Sequence, residues 1–120
     1  RRYMKVLLFG RDSDCRLIIN FLKCCNTIDK NEYVYTDNTD TLLDQLTRFS
    51  PELIIIASDG AFGMERVIAT RKLCPDTKLF WFSDDKEFGA QAYRLNCTYF
   101  CAKPITEQKL FNATKRLKTA

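Results

Sequence analysis

Leu53-Ile54-Ile55-Ile56-Ala57 is an unbroken apolar run, entered through Pro51-Glu52 and left through Ser58-Asp59-Gly60. Its isoleucines are β-branched and favour a strand. It has no polar alternation, so both of its faces are expected to be buried. That is the condition of a strand in a parallel sheet covered by helices on both sides. It is the longest apolar run in the chain, and it is far short of the roughly 20 residues that span a bilayer.

Upstream, Met4 to Phe9 is a second run of strand length, ending at Gly10 and the polar loop Arg11-Asp12-Ser13-Asp14. Cys15, Ile18, Ile19, Leu22 and Cys25 then recur at helical spacing, with Asp12 or Ser13 placed to cap. Asn26 to Glu32 is polar and reads as a turn, and Tyr33-Val34-Tyr35-Thr36 reads as a short strand. After the cap-rich segment Asp37 to Thr41, the stripe Leu42, Leu43, Leu46, Phe49 marks a second helix.

Downstream, Ser58 to Gly63 reads as a loop. Met64, Val67, Ile68 and Arg71 mark a third helix that stops before Cys74-Pro75. Lys78 to Phe82 is a fourth strand, Asp84 to Leu95 a weakly periodic fourth helix, and Asn96 a residue suited to a left-handed cap. Tyr99 to Ala102 is a fifth strand. Pro104 interrupts, Thr106 can cap, and Leu110, Ala113 and Leu117 mark a last helix.

Five strands alternating with five helices predict an α/β fold with a parallel sheet between two helical layers. Right-handed crossovers leave few topologies, and the commonest is the flavodoxin-like order 2-1-3-4-5. In such folds the working site lies at the carboxyl ends of the strands. Those ends are Gly10 to Asp14, Ala57 to Gly63, Ser83 to Asp85, and Lys103-Pro104.

The 120 residues suit one domain over the whole chain, and 46% hydrophobic residues suffice for one core. The net charge of +4 is mild and its basic residues are scattered, which does not support direct nucleic-acid binding. Histidine is absent, which excludes Ser-His and Cys-His dyads and histidine-bearing zinc sites within the chain. The six cysteines, at 15, 24, 25, 74, 97 and 101, form no C-x-x-C pair. They read as reduced, mostly buried small hydrophobes, with no metal site, in a cytoplasmic protein. No signal-peptide pattern opens the chain. Met4 is a candidate native start, which leaves the origin of residues 1–3 open.

Two segments carry a family resemblance. Leu95-Asn96-Cys97-Thr98-Tyr99-Phe100-Cys101-Ala102-Lys103-Pro104 and Pro51-Glu52-Leu53-Ile54-Ile55-Ile56 are similar to the corresponding runs of the CheY-like receiver domains of bacterial response regulators. The resemblance extends in register over essentially the whole chain. It implies phosphoryl transfer to an aspartate, with three acidic groups holding Mg²⁺. A hydroxyl after the fourth strand and a lysine after the fifth contact the phosphoryl oxygens. On that alignment Lys103 matches the lysine, Ser83 the hydroxyl, and Phe100 the aromatic switch position without a phenol oxygen. The bond before Pro104 is expected to be cis.

The other half of the apparatus is missing. Ala57 stands at the acceptor position, and Gly10 and Arg11 stand where two metal-binding acids belong. Gly63 lies six residues after Ala57, so the intervening loop is about two residues short of the family pattern. Asp59 is a possible alternative acceptor, with Asp12 and Asp14 as further carboxylates. The plainer reading makes Asp12 and Ser13 caps and Asp59 a turn residue. For Lys103 two readings compete: an anion pocket with Arg11 and Ser83, or an ion pair with Asp59 or Asp12, the second being favoured.

The resemblance therefore implies a non-phosphorylatable pseudo-receiver of two-component or phosphorelay signalling, not an enzyme, with no cofactor and with Mg²⁺ binding lost. Its expected action is protein interaction or homodimerisation through the face of helix four, strand five and helix five, which carries Lys86, Glu87, Tyr93, Arg94, Lys109 and Arg116. An attached output domain after Ala120, DNA-binding and transcriptional, is the expected partner. The alternative is a small-molecule or anion sensor using the strand-end crevice. The chain has no G-x-G-x-x-G, so a dinucleotide is not supported.

Overall fold

A computed structural model describes residues 4–25, 27–28 and 32–118. The strands are β1 (Val6–Gly10), β2 (Tyr33–Thr36), β3 (Leu53–Ala57), β4 (Lys78–Ser83) and β5 (Tyr99–Ala102). The α-helices are α1 (Asp12–Cys24), α2 (Thr39–Arg48), α3 (Gly60–Leu73), α4 (Gly89–Arg94) and α5 (Glu107–Lys115). The strands form one parallel sheet in the order β2-β1-β3-β4-β5, as expected. The expected turn over residues 26–32 lies partly outside the described residues.

Consecutive residues of the central strands point to opposite faces and enter different cores. Val6, Leu8, Leu53, Ile55, Phe80 and Phe82 pack against Cys15, Ile18 and Leu22 of α1 and Leu110 and Ala113 of α5. Leu7, Phe9, Ile54, Ile56, Leu79 and Trp81 pack against Leu42 and Leu46 of α2, Val67 of α3 and Ala92 of α4. Every residue of β3 is buried, which accounts for its lack of polar residues. Burial of each large side chain here stabilises the fold by about 1.5–3 kcal/mol.

Side-chain caps open two of the five α-helices. The Asn38 side chain accepts from the Thr41 N–H at 2.9 Å to open α2, and Thr106 accepts from the Lys109 N–H at 3.2 Å to open α5. Asn96 takes φ 56 after α4, as its residue type suggests. The Lys103–Pro104 bond is cis.

Four expectations are corrected. Asp12 and Ser13 do not cap α1: they lie inside its first turn, and the N-cap residue Arg11 makes no side-chain cap bond. The loop expected over Ser58 to Gly63 is only Ser58 and Asp59, because α3 begins at Gly60. The helix expected over Asp84 to Leu95 shortens to a 3-10 turn, Lys86–Phe88, followed by α4. There the Asp85 carboxylate caps the Glu87 N–H at 2.8 Å and starts the tighter turn first. Finally, the cysteines are not mostly buried: Cys15 is buried, Cys24 and Cys25 are exposed, and the others are half-buried.

Arg71 ties the lower end of α3 to two loops. Its guanidinium donates to the carbonyls of Cys74 (2.8 Å), Thr77 (2.7 Å), Leu95 (2.9 Å) and Asn96 (3.0 Å). The planar fork reaches several acceptors that a lysine could not span together.

Candidate functional site

The parallel register lines up the carboxyl ends of the strands. Gly10 pairs with Ala57, Ala57 with Phe82, and Ser83 with Ala102. Only Ser58 and Asp59 separate β3 from α3. This tight connection needs Gly63, since a Cβ there would fall on the Ser58 carbonyl oxygen. The first turn of α3 is thereby held against the end of β3, and Asp59 is set at the mouth of the sheet.

Lys103, just past β5, turns its amine into that mouth. The Nζ donates to Asp14 Oδ2 at 2.7 Å and lies 2.8 Å from Asp59 Oδ1. Asp59 Oδ1 is buried and receives no aligned hydrogen bond, so this second contact is chiefly electrostatic. Arg11 reaches Asp59 Oδ2 from the solvent side at 3.5 Å. Two cations and two carboxylates thus close on one another. Burial by itself would lower the Lys103 pKa, but the contacts to Asp14 and Asp59 outweigh it and hold the amine above its ordinary value.

The crevice around these charges is small, about 230 Å³, and is lined by Arg11, Ala57, Ser58, Asp59, Phe62 and Lys103. Phe62 forms its apolar wall. It stacks on Phe9 with ring centres 6.4 Å apart, and the Arg66 guanidinium covers it at 4.0 Å.

No protein-family model matches the chain, and no curated protein does. Solved structures do match. The chemotaxis response regulator CheY4 of Vibrio cholerae is similar with a TM-score of 0.76 and 18% identity, over 97% of this chain and 99% of CheY4. This chain has the receiver fold. NtrX from Brucella abortus, in complex with ATP, gives 0.74 and 18% identity over 96% of this chain and 27% of NtrX. The signal receiver domain of a modulated diguanylate cyclase from Desulfovibrio desulfuricans gives 0.70 and 16% identity, over 95% of this chain and 92% of that one. The chain therefore spans about a quarter of NtrX and nearly all of CheY4.

Within the receiver fold, Ala57 ends β3 with its methyl buried among apolar side chains. Gly10 has φ +150, and a Cβ there would fall on the Ala57 carbonyl oxygen, so the backbone admits no acidic side chain at this position. Arg11 and Lys103 bring positive charge to the same space. Among the described residues no three acidic, cysteine or histidine side chains converge as a metal site. The residues present therefore do not fit the Mg²⁺ that the fold family implies.

Ser83 and Phe100 are not among the residues that line this crevice. Ser83 is buried, and its hydroxyl contacts Asp84 Oδ1 at 3.3 Å and the Asp85 N–H at 3.4 Å. It meets Lys103 through the backbone, where the Lys103 N–H donates to the Ser83 carbonyl at 2.7 Å. Phe100 packs edge-on against Trp81 at 5.1 Å, on the α2–α3–α4 side of the sheet. Of the three residues of the anion-pocket reading, Arg11 and Lys103 line the crevice and Ser83 does not. Pro104 is exposed and its carbonyl accepts from Lys109 Nζ at 2.8 Å.

The ion-pair expectation holds for Asp59 and is corrected for Asp12. Asp12 pairs with Arg16 one turn further along α1, and Asp14 takes its place at Lys103. Two residues along a helix turn a side chain through about 200°. Asp12 and Asp14 therefore lie on opposite flanks of α1. The Asp12-x-x-x-Arg16 spacing was the signal that would have found this. Phe62 and Arg66 carried no comparable signal.

Proposed function

We propose that this chain is a receiver-type regulatory module of a signal-transduction response regulator that works without phosphorylation, through protein contacts. The observation that carries this reading is the Lys103 amine held between Asp14 and Asp59 beside an alanine at the acceptor position. In this arrangement the internal carboxylates occupy the lysine that would otherwise meet a phosphoryl group. The module is not an enzyme, takes no Mg²⁺, and does not itself bind nucleic acid. It controls an attached output domain, transcriptional and DNA-binding. That NtrX is a longer chain matched over about a quarter of its length supports a modular arrangement of this kind. No helix among the described residues is long and apolar enough to cross a membrane, in keeping with a cytoplasmic role.

Incubation with acetyl phosphate and Mg²⁺, read by intact-mass spectrometry, should leave the protein unmodified. A phosphoryl mass gain that disappears in Asp59→Asn would overturn the proposal in favour of Asp59 as an alternative acceptor.

A second reading rests on Arg11, whose side chain is 68% exposed and, among the described residues, makes only the long 3.5 Å contact. Its free donors could take a carboxylate or phosphate at the crevice mouth. Thermal shift against phosphate, nucleotides and acidic metabolites separates the two: stabilisation lost in Arg11→Ala supports the sensor, and no shift supports the contact module.

A further inference from the structure

Leu17 and Phe111 are two of the large apolar side chains left in water, 41% and 51% exposed. They belong to one surface. α1 buries Cys15, Ile18, Ile19 and Leu22. At about 100° per residue, Leu17, Phe21 and Cys24 fall on a single flank. Asp12, Arg16 and Lys23 take the opposite flank, beside Tyr33 and Tyr35 of β2. With Glu107 at the start of α5, the first flank lines a groove of about 380 Å³. Phe111 follows Glu107 by one turn, on the same side of α5. Arg116, just past the end of α5, lines a separate hollow beside β5.

The α5 wall is opposite in charge at its two ends. Glu107, Phe111 and Lys115 recur at four-residue spacing: acid, aromatic, base. The two charges stand about 12 Å apart along the helix. Lys115 Nζ rests over the Phe111 ring at 4.9 Å. Neither Glu107 nor Lys115 has an ion-pair partner among the described residues.

Such a stripe is complementary to itself. A two-fold axis through Phe111, perpendicular to α5, lays each acid against the partner's base and each aromatic ring against its copy. A parallel pairing would set like charge against like. The geometry points to a second copy of this chain as the occupant of the α1–α5 face, with the two α5 helices antiparallel. Glu107 then meets the partner's Lys115 twice, around paired Phe111 rings, and Leu17 and Phe21 close the groove. The α4–β5–α5 face is less suited to charge pairing: Tyr93 is 87% exposed there, but the Lys109 amine is turned inward onto the carbonyls of Ala102 and Pro104. This pairing is independent of the state of the crevice.

Sedimentation equilibrium across the micromolar range tests it. A dimer is expected, with a dissociation constant that rises with salt. Phe111→Glu should give a monomer. Glu107→Lys or Lys115→Glu alone should weaken the dimer about tenfold, since each reverses two symmetric contacts. The double exchange should restore the original affinity. All three positions are exposed, so circular dichroism should match the parent in every variant. The inference is overturned by a monomer at all concentrations, by a double exchange that regains nothing, or by a dimer that survives Phe111→Glu and is lost in Tyr93→Glu.

Discussion

Lys103 is a cation held between two carboxylates from distant parts of the chain. Its side chain is 15% exposed and shares its charge with Asp14 and Asp59, which are 24% and 33% exposed. Removing one partner of a fully buried pair costs about 3–5 kcal/mol. Water screens these carboxylates, so Lys103→Met should cost about 1–2 kcal/mol at neutral pH by chemical denaturation. In a double-mutant cycle with Asp14→Asn the coupling should be about 1 kcal/mol, and additive losses would show that the pair does not stabilise the fold. The pH dependence has a fixed sign. The Lys103 pKa is raised in the folded state, so its contribution is complete below the ordinary lysine value of 10.5 and is lost as pH rises through the folded value. The stability gap between parent and Lys103→Met should therefore narrow in strong alkali. The lysine and Asp59 were legible in the sequence, because strand-end positions follow from chain order. Asp14 was not, because which flank of α1 faces β5 depends on how that helix docks.

At the scale of elements, the junction of β3 and α3 decides the shape of the site. Gly63 lies inside α3, where alanine would ordinarily be favoured by about 1 kcal/mol. Here the added Cβ would meet the Ser58 carbonyl, and backbone can yield little. Gly63→Ala should therefore destabilise by about 1–3 kcal/mol. Gly89, at the start of α4, is the control: a Cβ there meets nothing within 4 Å, and Gly89→Ala should stabilise by about 0.4–1 kcal/mol. Thermal melts of the two variants should move in opposite directions, and a common direction would refute the packing argument. The sequence marked residues 58–63 as a loop because two glycines and an aspartate look like turn residues. What it could not convey is that a glycine can be required inside a helix for close approach.

At the scale of the molecule, the distribution of thiols follows the two-layer packing. Cys15 sits on the buried face of α1, and burial first, then the Asp14 charge, push its pKa up to about 12. Burial likewise raises Cys97 to about 11. Cys24 and Cys25 lie in water at the end of α1. A thiol reagent at about pH 8 should label Cys24 and Cys25 first and reach Cys15 only through opening of the fold, since the thiolate is the reactive form. Peptide mapping after brief labelling checks the order, and early modification of Cys15 would contradict the packing of α1 on the sheet. Helical periodicity placed Cys25 on the same stripe as Cys15. The helix ends at Cys24, however, and beyond that point the stripe no longer describes where a side chain goes.

The amino-acid sequence by itself determined the five α/β units, the parallel sheet and its strand order, because apolar runs, helical stripes and right-handed crossovers leave one common arrangement. It also placed Ala57 at the end of the third strand, because the apolar run that forms β3 stops there. Only the tertiary structure decided which carboxylates meet Lys103, that the Ser83 hydroxyl meets Asp84 and Asp85, and that Glu107 of α5 joins the groove of α1. Those outcomes depend on the rotation of each helix about its own axis. That rotation is set by side chains from distant segments packing together, and no local pattern encodes it.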